Sequence, residues 1–377
     1  MKTVLHVALV APGMYSSAPF EQAFLNNGFH SYYLFDWQLK MFELQSKEKM
    51  QDLLIQEADR LKPDLIFCQV QSGDMVELAT FKRLSEISFT VNYTLDIRSK
   101  EKSEWLYDLA GVIGAVFLSN QNDVDECKKR GYANAMTLQS SADMDTYEEL
   151  ADIPRRSTAV FIGNNTAITP LEFPKAQERV EMVSLLKERF PEQFEVYGMG
   201  WDSRFLMQKE EVEVYQSAQV AICHNQFEAP LYTSDRLWRA MACGSFCLTK
   251  HFPGIHLMFT RGVHLDWWEN FDELTAKLSF YLSQPEATRT IARNGMNHVR
   301  MNHNWTVRVA QLLDFIKPKK KQDKAPCLEA HTIEGKIPEP ADQELDGKVC
   351  DCGKLRAKWE ECGCANKQWQ LRLYENI

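Results

Sequence analysis

The stretch Tyr232-Thr-Ser-Asp-Arg-Leu-Trp-Arg-Ala-Met-Ala-Cys-Gly-Ser-Phe-Cys-Leu-Thr-Lys250 decides the fold. It reads as loop, helix, tight turn and buried strand. Thr233, Ser234 and Asp235 all suit an N-cap, where a short side-chain oxygen satisfies orphan N–H groups of the first turn. Leu237, Ala240 and Met241 recur at helical spacing and should face a core. Gly244 should end the helix with a positive φ. Phe246-Cys-Leu248 then reads as a strand buried on both faces.

The start of such a helix favours anions, and Arg236 adds a permanently charged fork in its first turn. Together they point to a nucleotide-diphosphate ligand. A capped surface helix with Arg236 in a salt bridge accounts for the same residues equally well.

Upstream, the same alternation recurs from the N-terminus. Val4 to Val10 is a dense apolar run closed by Ala11-Pro-Gly13. Strands are expected at Tyr32–Phe35, Leu65–Val70, Phe89–Thr94, Gly114–Ser119 and Ala135–Leu138. Helices are expected over Ala18–Asn27, Met50–Leu61, Leu78–Ile87 and Asp123–Arg130. Ala151 to Ser157 looks like a linker, after which the rhythm restarts. Strands are expected at Ala159–Ile162, Phe194–Tyr197, Val220–Cys223 and Val263–Leu265. A helix over Arg179–Phe190 should turn Val180, Val183, Leu185 and Leu186 inward. Further helices are expected over Val212–Ala218, Phe271–Leu282, Glu286–Arg300 and Thr306–Ile316.

Strands alternating with helices imply parallel, doubly wound sheets, and ligands bind beyond the carboxyl ends of such strands. The fold class expected is therefore α/β, with two Rossmann-like domains facing a cleft. Residues 1–150 form the first, 151–157 a linker and 158–318 the second. Polar residues at the strand ends of the first half include Gly13 and Ser16, Gln71 and Asp74, Asp96 and Arg98, and Asn120. No Gly-x-Gly-x-x-Gly follows the first strand, so a dinucleotide cofactor is not indicated.

The chain has 377 residues, with 43 basic and 52 acidic side chains and a net charge of −9, which argues against a protein that coats nucleic acid. No apolar run reaches transmembrane length, and the first strand, interrupted by His6, is unconvincing as a signal peptide. A cytoplasmic location with reduced cysteines is the expectation. Cys68, Cys127, Cys223, Cys243, Cys247 and Cys327 read as ordinary buried or half-buried thiols. The tail differs. After a Lys-rich and Pro/Glu-rich linker over 319–348, Cys350-Asp-Cys352 and Cys362-Gly-Cys364 place two thiol pairs a short hairpin apart. That suits a structural four-cysteine zinc knuckle over 349–377, although C-x-C is a less common spacing than C-x-x-C.

The second half resembles the donor-binding domain of group 1 glycosyltransferases of the GT-B fold, most nearly the spore-maturation-protein-like branch. The residues that carry this are Ser234-Asp-Arg236, Ala240-Met-Ala-Cys-Gly244, Gly254, Phe259, Gly262, Phe271-Asp-Glu-Leu274, Tyr281-Leu-Ser-Gln-Pro285, Ile291, Ala292, Gly295, His303 and Arg308. The match spans roughly 158 to 318, while the first half shares only the strand–helix rhythm and the Asp96-x-Arg98 end. The resemblance implies a nucleotide-diphosphate sugar as donor, its diphosphate near Ser234 and Arg236. It also implies that Gly163-Asn164 and Gly198 to Trp201, including Gly200, line the cleft, with His224, Asn225 and Tyr232 near the base or sugar. Gly13 would approach the donor from the first half.

There is one departure. Many group 1 members carry a ribose-binding glutamate where this chain has Arg239, and an Asp235–Arg239 pair at i,i+4 would explain it. The catalytic candidates are Asp96, as base for an inverting transfer, and Arg236, as the phosphate-stabilising cation of a retaining one. Most group 1 relatives are retaining. His6 and His30 read as structural, and Asp143-x-Asp145 as a solvated pair near the linker rather than a metal site. The acceptor is unidentified. A hydroxymethylated DNA base, gripped with help from the basic linker, is one alternative. A non-catalytic sugar-nucleotide-binding protein is another, favoured by Arg239. A nucleotide-sugar epimerase on the same fold is a third.

Overall fold

In a computed structural model of the protein, the described residues are 1–10, 17–95, 97, 100–148, 153–169 and 173–317, with the side chains of 100–103 excluded. Met1–Pro318 forms one compact unit, and Lys319–Ile377 lies outside the described residues.

The first half runs β1 (Thr3–Ala8), α1 (Ala18–Asn26), β2 (Ser31–Asp36), α2 (Trp37–Leu44), α3 (Lys47–Leu61), β3 (Leu65–Cys68), α4 (Leu78–Ile87), β4 (Thr90–Thr94), α5 (Lys100–Ala110), β5 (Ala115–Leu118), α6 (Gln121–Lys129) and β6 (Ala135–Thr137). Its six strands are all parallel, in the order β2-β1-β3-β4-β5-β6. Central strands β3, β4 and β5 are buried throughout, as near-continuous apolar runs demand when helices cover both faces.

The second half runs β7 (Arg156–Ile162), α7 (Ala176–Arg189), β8 (Phe194–Tyr197), α8 (Gln208–Ser217), β9 (Ala218–Cys223), α9 (Asp235–Ala242), β10 (Phe246–Lys250), α10 (Ile255–Met258), β11 (Asp266–Trp268), α11 (Phe271–Ser283), α12 (Pro285–Asn302) and α13 (Trp305–Ile316). These five strands are also parallel, in the order β11-β10-β9-β7-β8. The order reverses between β7 and β9, so the crevice beyond their carboxyl ends is the topological switch point of this sheet.

Several elements differ from expectation. The last strand is Asp266–Trp268 rather than 263–265, because Gly262 turns the chain at φ +73 and delays its re-entry into the sheet. Three helices, α2, α5 and the four-residue α10, have no counterpart in the sequence reading. α2 starts directly from the Asp36 carboxylate, which accepts from the amides of Gln38 and Leu39, and α5 opens on the polar run Lys100-Glu-Lys-Ser-Glu104 before burying Leu106, Tyr107, Leu109 and Ala110. The inward face of α7 is Arg179, Met182, Val183 and Leu186; Val180 and Leu185 are only half-buried. The five described cysteines are all buried free thiols, and Cys327 lies outside the described residues.

The last helix does not stay with the second sheet. α13 packs along α1, where Trp305 meets Phe20 at 4.3 Å, and against β5, where Phe315 meets Phe117 edge-on at 5.7 Å. Its Val309 and Leu312 are buried in the same cluster as Val4, Phe24 and Tyr93. Arg308 at its start donates to Ser140 O on the segment between the sheets. Nearby, the Gln121 amide donates to Pro230 O at 3.1 Å, and Gln139 Nε2 donates to Leu231 O. The two sheets are thereby fastened at the loop that leads into α9.

Candidate functional site

β7 runs into Gly163-Asn164-Asn165, and β8 into Gly198-Met-Gly200-Trp201. The two loops are zipped together. The Met199 amide donates to Asn164 Oδ1 at 3.0 Å, Asn165 Nδ2 donates to Gly200 O at 3.1 Å, and Trp201 Nε1 donates to Gly163 O at 2.6 Å. At Gly198, φ is +132 and a Cβ would sit 2.5 Å from Gly163 O. Only glycine permits that approach. The predicted Gly163, Asn164, Gly198, Gly200 and Trp201 thus meet in one place. Trp201 acts there as a strut, since its only N–H is spent on the backbone of Gly163.

β9 runs into His224-Asn225. Asn225 clamps the approach to α9. Its Nδ2 donates to Tyr232 O at 3.2 Å, and its Oδ1 accepts from the Ser234 amide at 3.0 Å. Tyr232 is buried against Phe227. The expected side-chain cap is not formed: Ser234 is the N-cap residue, but its hydroxyl caps nothing. The Asp235 carboxylate turns instead toward the amides of Asp235 and Arg236 and toward Arg239. Burial opposes its ionisation, yet Arg239, Arg236 and those amides outweigh it and hold its pKa below the ordinary carboxylate value.

The expected i,i+4 pair is present, with Arg239 Nη2 2.6 Å from Asp235 Oδ2. It belongs to a larger network. Arg239 Nη1 lies 3.2 Å from Glu211 Oε2, which accepts from the Tyr147 hydroxyl at 2.7 Å. At the other end of α9, Gly244 takes φ +76 as expected.

Arg236 is half-buried, and its Nε lies 3.1 Å from where a Cβ on Gly163 would sit. Among the described residues its guanidinium has no ion pair or hydrogen bond. The sequence reading missed its neighbour Arg179, which is fully buried on α7. Arg179 Nη1 donates to Asn164 O at 3.1 Å and Nη2 to His224 O at 2.8 Å, across the switch point. Burial and the nearby charge of Arg236 push its pKa down to about 9, so it stays charged at neutral pH. Its place in a helix of otherwise solvated charges hid it; only its position on the apolar face, three residues before Met182, could have marked it.

His224 is buried, and neither ring nitrogen has a hydrogen-bond partner. Its Nε2 lies 3.6 Å from Glu178 Oε1, which also meets Lys250 at 3.2 Å. Burial and Arg179 hold His224 below its ordinary pKa, and His224 and Lys175 hold Glu178 well below the carboxylate range.

Other candidates fall elsewhere. Gly13 and Asp96 lie outside the described residues, as do Cys350, Cys352, Cys362 and Cys364. His6 is buried in β1. Its Nε2 bonds Gln69 at 2.8 Å and its Nδ1 meets the Tyr32 hydroxyl, a closed structural arrangement. Asp143 caps its own turn by accepting from the Asp145 and Thr146 amides and the Thr146 hydroxyl. No group of three or more potential metal ligands occurs among the described residues. A 390 Å³ cavity lined by Ile153, Arg155, Gly244, Arg289, Arg293 and Met296 lies at the C-terminal end of α9, away from these loops.

Two parallel α/β sheets in these orders, with a C-terminal helix returning to the first, form a fold of the GT-B type. Residues 178–314 match the family model described as glycosyl transferase-like, so the second half carries a domain of that description. No curated protein matches the sequence. Among solved structures, HepE from Anabaena in complex with UDP-glucose is 13% identical with a TM-score of 0.57, over 83% of this chain and 99% of that one. Sucrose-phosphate synthase from Thermosynechococcus elongatus is 11% identical, also at 0.57, over 83% and 98%. The α,α-trehalose 6-phosphate synthase from Burkholderia multivorans is 10% identical at 0.57, over 84% and 98%. No helix of the described residues is long and apolar enough to cross a membrane.

Proposed function

We propose that the chain transfers a sugar from a UDP-sugar to an acceptor hydroxyl. Residues 158–318 hold the donor and residues 1–150 face the acceptor. One observation carries the reading. The Arg236 guanidinium, without a partner among the described residues, lies against Gly163 at the switch point of the second sheet. Asp235, the nearest carboxylate in sequence, is occupied by Arg239, so the charge of Arg236 is left for a ligand. A diphosphate there meets a cation and glycine backbone at close range. UDP is favoured as carrier because HepE, on the same fold, was solved with UDP-glucose.

In this reading Arg236 stabilises the diphosphate as it leaves, which suits a retaining transfer; Asp96 is the base if the transfer inverts. Arg239 is committed to Asp235 and Glu211, so the ribose is held by another group. The test is a thermal-shift panel of UDP, GDP, ADP, CMP and dTDP with their common sugars. A ligand at about a hundred times its dissociation constant adds about 2.7 kcal/mol of stability. A rise with UDP and one UDP-sugar is expected; no rise with any nucleotide overturns the reading.

A further inference from the structure

Among the described residues, Arg179 is the one arginine whose whole side chain is sealed from solvent. It sits where the sheet order reverses, and its two Nη groups bridge the carbonyls of Asn164 and His224, which end the strands flanking that reversal. The guanidinium lies over the Phe161 ring at 5.4 Å, and its Nε is buried with no hydrogen-bond partner. No carboxylate of the described residues lies within ion-pairing distance of it. Glu178, its neighbour in sequence, points instead at His224, Lys175 and Lys250. Arg236, of the same sign, stands against Gly163 beside the Asn164 carbonyl that Arg179 holds, and its charge acts on Arg179.

A buried charge is ordinarily paired, because removing it from water is costly and only an opposite charge repays that cost. Tying two loops together needs hydrogen-bond donors but not a full positive charge; a neutral amide could serve. Two like charges held next to each other at a ligand crevice make sense if the missing counter-charge arrives with the ligand. A diphosphate brings two or more negative charges, enough to neutralise both arginines.

We infer that Arg179 is a positioning residue of the donor site: it fixes the Asn164 and His224 loops and holds an uncompensated positive charge behind them, which bound diphosphate neutralises. The inference rests on the donor reading above. It makes the site selective for the diphosphate portion of the donor rather than for its base, because Arg179 acts through charge and through the loop carbonyls it holds.

The experiment is calorimetric titration of UDP, uridine and inorganic pyrophosphate into the full chain, with Arg179→Gln and Arg179→Lys beside wild type. The expected result is a loss of at least tenfold in UDP affinity for Arg179→Gln, loss of its pyrophosphate binding, and uridine affinity within about threefold of wild type. Arg179→Lys, which keeps the charge but not the fork, should recover most of the UDP affinity. Equal loss of UDP and uridine in both variants would show a loop strut and overturn the inference. Unchanged UDP affinity in Arg179→Gln would overturn it as well. If Arg179→Gln does not fold, Arg179→Lys decides alone: retained preference for UDP over uridine supports the charge, and its loss overturns it. Failure of wild type to bind any nucleoside diphosphate would instead sink the donor reading itself.

Discussion

Arg239 Nη2 and Asp235 Oδ2 are 2.6 Å apart, one turn of α9 from each other, and the same guanidinium reaches the nearly buried Glu211. One cation therefore serves two carboxylates, and Tyr147 closes the group by donating to Glu211. Removing Arg239 leaves Glu211 buried with a hydroxyl alone. Arg239→Ala should cost about 3 kcal/mol in urea unfolding, and Arg239→Glu more, because it adds a third negative charge. Combining Arg239→Ala with Glu211→Gln should regain part of the loss. A double variant no better than Arg239→Ala would show that the network is not coupled.

Arg236 stands beside that group without belonging to it. Arg236→Ala should leave the unfolding midpoint nearly unchanged and weaken UDP binding at least tenfold, about 1.4 kcal/mol. Equal UDP affinity in variant and wild type would remove Arg236 from the site.

Gly198 carries both a positive φ and a contact that a methyl group cannot share. Gly198→Ala should destabilise the protein by more than about 2 kcal/mol and lose UDP binding with it, since the Asn164 loop is fastened to the same turn. A folded Gly198→Ala protein with normal UDP affinity would contradict this account of the loop.

Stability should also depend on pH through His6. Burial pushes its pKa down to about 3, against some help from the Gln69 hydrogen bond. Between about pH 6.5 and 3 the unfolded chain therefore holds a proton that the folded chain refuses, and stability falls as pH falls through that window. One such proton contributes about 1.4 kcal/mol per pH unit. His303, buried beside Arg308, shifts in the same direction and adds to the slope. Urea titrations at pH 7 and 5 should show a smaller loss in His6→Gln than in wild type. Equal losses would mean that His6 is protonated in the fold.

Leu312 is buried between α13 and the first sheet. Leu312→Ala should cost about 2 to 5 kcal/mol in urea unfolding.

The architecture was legible in the sequence because apolar runs and turn residues alternate regularly. Phe194–Tyr197 and Leu78–Ile87 lie where patterning puts them. The last strand was displaced because Val263-His-Leu265 is as apolar as Asp266-Trp-Trp268, and only the turn at Gly262 separates the two. In the site, the glycine loops and Arg236 were visible as residue types at strand and helix ends. Arg179 was not, because its meaning lies in being buried without a carboxylate, and pairing is a property of the fold. The Ser234 cap was misjudged for a related reason: the Asp235 carboxylate turns toward the amides of the helix start that the Ser234 hydroxyl was expected to serve.

The return of α13 to α1 also bears on how the protein is made. The first half leaves the ribosome as far as β6 at Thr137, yet its core lacks Trp305, Val309 and Leu312 until α13 follows. At ordinary synthesis rates of about 5–20 residues per second, the emerged half waits on the order of ten to thirty seconds with that groove exposed. During synthesis the groove beside α1 is therefore an opening for chaperones or for aggregation. A message truncated before codon 305 would yield a first half that never closes it.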